Sequence, residues 1–234
     1  IKPNSKRNQH GEVVIGRKLP DWSDVELDGK IRYIETLMVV DPELARFYNN
    51  DDMKIRQAIR ILMHGVNQFL FQLDLRMIVV DVTRINAINQ TLDEFMHWRQ
   101  EQMANLVPHD LAIQVRLRYE GGIAFVNGVC RMTAVGISGF FPESPFEYAT
   151  VFFHELAHLL GLAHDSGGQC KCTNWRNCLR VDGFNKDCAV QALANMLGQH
   201  ECIQEPPTLI PRSVVQICGN GVLEGDEQCD CGPT

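Results

Sequence analysis

The sequence predicts an α/β domain, and three observations predict it. Apolar, β-branched runs alternate with segments of helical period; helix-capping signals precede two of those segments; and Gly, Pro and Asn mark the margins between elements. With 234 residues, 45% of them hydrophobic, the chain is large enough for one generous domain with a real core and a short attached piece.

Taken in order, residues 1–28 are polar with scattered Gly, Pro, Asn and charge, which reads as a linker or propeptide remnant. From Ile31 the run IRYIETLMVV reads as a buried strand. Ile55, Ile59, Leu62, Val66, Phe69 and Leu73 then recur at helical spacing and predict an amphipathic helix packed on the sheet. DLRMIVVDVTRI returns to strand. Thr91-Leu92-Asp93-Glu94 is a capping-box pattern, so a second helix should start there and stop near Pro108. LAIQVRLRY, GIAFVNGVC and TAVGISG supply a third, fourth and short fifth strand. Ser144-Pro145-Phe146-Glu147 has the same capping signature and opens a third helix running to Gly161. A cysteine-rich irregular stretch follows, with a last helix around Ala189 to Leu197.

The net charge of −7 comes from mixed signs without long runs, which points away from nucleic acid and from anionic membrane surfaces. Eight of the nine cysteines fall after residue 169, and without paired C-x-x-C knuckles they read as a disulfide framework made in an oxidising, extracellular compartment. The sequon at Asn89 agrees with secretion and glycosylation. The chain begins without Met, lacks a signal peptide and has no apolar stretch of about 18 residues; it reads as part of a longer precursor, without membrane contact of its own.

The chemistry sits in the third helix, in the run His154-Glu155-Leu156-Ala157-His158-Leu159-Leu160-Gly161-Leu162-Ala163-His164-Asp165. Histidines four apart share a helix face, so His154 and His158 can reach one tetrahedral Zn²⁺. Glu155 is not needed as a ligand and is free to act as the base on water at the metal's open position. Gly161 accepts the left-handed conformation that ends a helix and turns the chain, which brings His164 round as third ligand. His10, His64, His97, His109 and His200 lack such spacing and read as surface or packing residues.

HELAHLLGLAHD resembles the extended zinc motif of the metzincin endopeptidases. YIETLMVVD, the HDL at 109–111, GIAFVNGVC and the CxC after the zinc motif narrow the resemblance to the adamalysin or reprolysin family, which includes snake-venom metalloproteases and ADAM ectodomains. The resemblance implies a three-layer domain: a twisted five-stranded mixed sheet, a long active-site helix and a small disulfide-rich C-terminal subdomain. It places the metalloprotease domain at 29–207, and CGNGVLEGDEQCDCG in 208–234 resembles the start of a disintegrin-like domain. It further implies disulfides Cys130–Cys202, Cys170–Cys188 and Cys172–Cys178, leaving Cys218, Cys229 and Cys231 without partners in the chain. A structural Ca²⁺ is implied at Glu35, Asp110 and Glu205, three carboxylates that suit its all-oxygen coordination.

The activity implied is zinc-dependent hydrolysis of extended peptide segments in extracellular or membrane-protein substrates, held in check by an inhibitory propeptide and by protein inhibitors. One position departs from the family. A methionine normally follows the cysteine matching Cys178 by two residues, in a turn beneath the zinc, and here that residue is Arg180, with Met196 no obvious replacement. The departure keeps a second reading open, a catalytically weak adhesion or binding ectodomain on the protease fold. The complete set of three histidines and a glutamate argues against it.

Overall fold

The structure, a computed structural model, describes residues 29–164, 193, 196–203 and 213–216. Its strands are β1 (Arg32–Val40), β2 (Leu75–Arg84), β3 (Leu111–Leu117), β4 (Gly122–Ala124) and β5 (Val135–Phe140), joined in one sheet in the order β2-β1-β3-β5-β4. The β1–β2, β1–β3 and β3–β5 pairings are parallel, whereas β4 runs antiparallel to β5 at the edge. Parallel neighbours need crossover connections. Helices α1 (Pro42–Phe47) and α2 (Asp52–Leu70) link β1 to β2, and α3 (Leu92–Gln102) links β2 to β3.

Three layers result from the period of two along each strand. Met38 and Val40 of β1 face a large core shared with α2 and with α4 (Ala149–Leu159). Leu37 and Val39 face the opposite side, where Leu92 and Phe95 of α3 complete a smaller core. Because both faces are covered, the central strands read as continuous apolar runs rather than as alternating ones.

Asp51 caps α2 by accepting from Met53 N and Lys54 N, and Ile55, Ile59, Leu62, Val66 and Leu70 form its buried stripe. Leu73 lies just beyond, in a 3-10 turn at Phe71–Leu73. The capping box of α3 forms in full, with Thr91 accepting from Glu94 N and the Glu94 carboxylate accepting from Thr91 N. That helix ends at Gln102, well before Pro108. Helix α1 is additional to the sequence expectation; Asp41 accepts from Leu44 N at 2.8 Å and Pro42 takes the favoured first position.

Two elements differ in extent from expectation. Helix α4 starts at Ala149 rather than Ser144, because the Ser144 carbonyl accepts from Glu147 N and Tyr148 N in turns and Tyr148 gives no side-chain cap. At this entry α2 crosses closely: a Cβ on Gly65 would lie 2.6 Å from Ala149 Cβ. Strand β4 covers only the first three residues of GIAFVNGVC. Beyond it the chain leaves the sheet so that Asn127 N and Val129 N can bond the carbonyls of His158 and Leu159 in α4.

Leu193, Met196 and Leu197 belong to the expected last helix, whose remaining positions lie outside the described residues. So do Cys170, Cys172, Cys178, Cys188, Arg180, Glu205, Cys218, Cys229 and Cys231. Among the described residues no helix is long and apolar enough to cross a membrane.

Candidate metal centre

Helix α4 is anchored by apolar side chains on the sheet side: Phe152, Phe153, Leu156 and Leu159 have no exposure, and Phe153 stacks on Phe69 of α2 with ring centroids 4.9 Å apart. That anchoring fixes the rotation of the helix and hence the direction of His154 and His158, whose rings are 4.7 Å apart. The helix then ends in a Schellman motif. Gly161 has φ +110°, its N–H donates to His158 O at 2.8 Å, and Leu162 N donates to Ala157 O at 2.9 Å. The reversal carries His164 back to within 5.1 Å of the His154 ring and 4.6 Å of the His158 ring.

One nitrogen from each of the three imidazoles falls in a group whose members all lie within 4.8 Å of one another, and His154 Nε2 stands 2.9 Å from His164 Nε2. Two nitrogens bound at 2.0–2.1 Å to one tetrahedral ion would be about 3.3 Å apart, so the spacing is close to that of a shared metal. His158 Nδ1 donates to Leu162 O at 2.6 Å, which leaves Nε2 with its lone pair, the form a metal requires. Burial, and to a lesser extent the neighbouring His164, lower the His158 pKa against the opposing effect of the Leu162 carbonyl, favouring the neutral ring.

Glu155 has no exposed surface, and neither carboxylate oxygen has a hydrogen-bond partner among the described residues. Burial pushes its pKa up to about 8. A buried carboxyl with both oxygens unpartnered is costly unless a ligand completes the site, and it sits beside three convergent imidazoles. The donor set therefore fits zinc: three imidazole nitrogens and an adjacent acid that is not required as a fourth ligand.

Every carbonyl of the last helical turn has a partner. His158 O also accepts from Asn127 N at 2.8 Å, Leu159 O accepts from Val129 N at 3.1 Å, and Leu160 O accepts from His200 Nε2 at 2.9 Å. His200, expected as a surface or packing residue, is buried and grips the end of the metal helix. No periodicity or motif marks it, and its only cue is nearness to Cys202. Met196 is close to this floor too, its sulfur 3.2 Å from where a Cβ on Gly161 would sit.

Cys130 and Cys202 form a disulfide with Cα atoms 5.5 Å apart. Glu35 and Asp110 are also brought together: Glu35 N donates to Asp110 Oδ2 and Asp110 N to Glu35 O, both at 2.8 Å. Desolvation raises the Asp110 pKa to about 6, the main opposing influence being the bond from Glu35. Asp110 lines a cleft of about 410 Å³ with Arg99, His109, Met132 and the disulfide. His109 Nδ1 donates to Val107 O, so Nε2 is free to accept from Arg99 Nε at 2.8 Å. Asn89 is exposed, with φ +54°, in the bend before α3.

A helix presenting two histidines, a glycine turn and a third histidine over a mixed five-stranded sheet defines a zinc-metalloprotease catalytic domain. The chain belongs to the Reprolysin (M12B) family of zinc metalloproteases, whose family model matches residues 32–207. Human "Disintegrin and metalloproteinase domain-containing protein 9" is 28% identical over 86% of this chain and 27% of that protein. The Mus musculus protein 1b of the same name is also 28% identical over 86% of the chain and 27% of its own length. The Caenorhabditis elegans protein adm-2 is 26% identical over 97% of the chain and 26% of its own length. The chain thus spans about a quarter of the length of these relatives.

Proposed function

We propose that the domain hydrolyses internal peptide bonds of extended segments in extracellular or membrane-protein substrates, with Glu155 as general base and acid. The observation that carries this reading is the buried, unpartnered Glu155 carboxylate on the same helix as three convergent imidazoles. His154, His158 and His164 would hold the zinc. Bound there, zinc lowers the pKa of a water toward about 7 and polarises the scissile carbonyl.

Glu155 takes one proton from the attacking water as its oxygen bonds to the carbonyl carbon, and delivers that proton to the leaving nitrogen as the C–N bond breaks. Strand β4 is the sheet's terminal strand, so its outer main-chain groups are available to an added substrate strand. Ile123, 45% exposed, lies along that edge. Extracellular placement, glycosylation at Asn89, Ca²⁺ at Glu35 and Asp110 with Glu205, and control by a propeptide and protein inhibitors belong to the same reading.

Digestion of a mixed peptide library with and without a zinc chelator, followed by mapping of the cut sites, tests the reaction class. Chelator-sensitive internal cleavage is expected. Glu155→Ala should keep its zinc, measured as metal per chain, and lose turnover by about 10²–10⁴-fold. Cleavage at the parent rate by that variant would overturn the assignment, and a domain that binds peptides without cutting them would indicate the adhesion reading.

A further inference from the structure

Gly122 opens β4, is buried, and pairs with Ser138 of β5. Its φ lies outside the left-handed region, so the conformation does not call for glycine. Space does. A Cβ at this position would meet Glu155 Cγ and Oε1 at 2.6 Å and Cδ at 2.7 Å, and these are its three nearest neighbours. Real Cβ contacts do not come under 3.0 Å, so one side chain would have to give. Glu155 is fully buried on a helix locked by Phe152, Phe153 and Leu156, which limits where its carboxylate can move.

We infer that Gly122 is a positioning residue for Glu155: its bare Cα is the seat on which the carboxylate rests, and this seat ties the substrate edge strand to the catalytic base. The inference rests on the role proposed for Glu155. With no hydrogen-bond partner among the described residues, the carboxylate owes its orientation to packing, and Gly122 is a surface it packs on. A strand that shifts as a peptide adds to its outer edge would move the base with it.

Gly122→Ala, Glu155→Ala and the double variant test this in the zinc-loaded protein, by metal content, denaturant unfolding and peptide turnover. Gly122→Ala should retain its zinc and lose kcat by about 10²-fold, the scale of a 1 Å misplacement, with a much smaller change in KM. It should also destabilise the domain, and that penalty should vanish in the Glu155→Ala background, where the added methyl has room. An equal penalty in both backgrounds, loss of zinc, or an unchanged kcat overturns the inference. If Gly122→Ala does not fold, a folded double variant supports the contact and an unfolded one refutes it. Turnover by Glu155→Ala alone would instead remove the catalytic role while the stability cycle still reported the seat.

Discussion

His200 and Leu160, forty positions apart in sequence, meet at the end of the metal helix, where the His200 Nε2–H donates to the Leu160 carbonyl at 2.9 Å. Backbone N–H groups of Asn127 and Val129 serve the two preceding carbonyls, so the helix exit is held from both sides of the Cys130–Cys202 disulfide. His200→Ala leaves a buried carbonyl without this donor and should cost about 1–3 kcal/mol. His200→Gln, which can still donate, should cost less. Denaturant unfolding gives the stabilities, and competition with a chelator should show weaker zinc retention in the alanine variant.

Gly161 is the one position of the turn where a side chain is excluded by conformation. At φ +110° an alanine is strained by about 1–3 kcal/mol, and its Cβ would approach Met196 Sδ at 3.2 Å. Relief would unwind the Schellman turn and withdraw His164 from the other two ligands. Gly161→Ala should therefore lose zinc affinity by more than its unfolding penalty alone predicts, because the metal-bound form depends on the turn. Equal losses in the apo and zinc-loaded proteins would count against this.

Asp110 predicts a pH effect whose sign follows from its raised pKa. The folded protein holds this proton up to about pH 6, the unfolded chain only to the ordinary carboxylate value of 3.8. The stabilisation is thus complete below pH 3.8 and is lost progressively as pH rises from there to about 6. In calcium-free buffer, Asp110→Asn removes that loss while an amide oxygen still accepts from Glu35 N. The variant should melt above the parent at pH 7–8 and close to it only below the unfolded-state value of 3.8. Added calcium should raise the parent's Tm at neutral pH and leave the variant unmoved. A variant less stable than the parent at pH 7.5 without calcium would contradict the desolvation account.

What the sequence made legible was whatever has a short period or a local signal. β1, β2, β3, β5 and α2 follow from apolar runs and spacing, α3 from Thr91 and Glu94, and the three ligands from a motif that fits within one helix and its glycine turn. Contacts made across the fold had no such signature. His200 on Leu160, Gly122 against Glu155 and Met196 near Gly161 join segments whose meeting is set by sheet order and the helix exit. Ser144 and Glu147 carry the right letters for a capping box and yet open no helix. The close crossing at Gly65 and the turns on Ser144 leave the helix to begin at Ala149. The short β4 has a similar cause: its continuation bonds the metal helix instead of β5.

The disulfide itself gives the last prediction. Cys130 and Cys202 are 72 residues apart, and closing a loop of that size restricts the unfolded chain by about 4 kcal/mol on the chain-entropy account. Cys130 follows the Asn127–Val129 segment that bonds the helix carbonyls and has φ +63°, while Cys202 lies two residues after His200. Cutting the bond therefore loosens both halves of the cap as well as enlarging the unfolded ensemble. The Cys130→Ser/Cys202→Ser variant should be less stable than the parent by at least the entropic amount. Hydrogen exchange should also quicken at Asn127 and Val129, whose protecting partners are helix carbonyls, before it quickens in the buried β1 and β3. If exchange rises uniformly, the disulfide acts on the unfolded state alone and the cap stands without it.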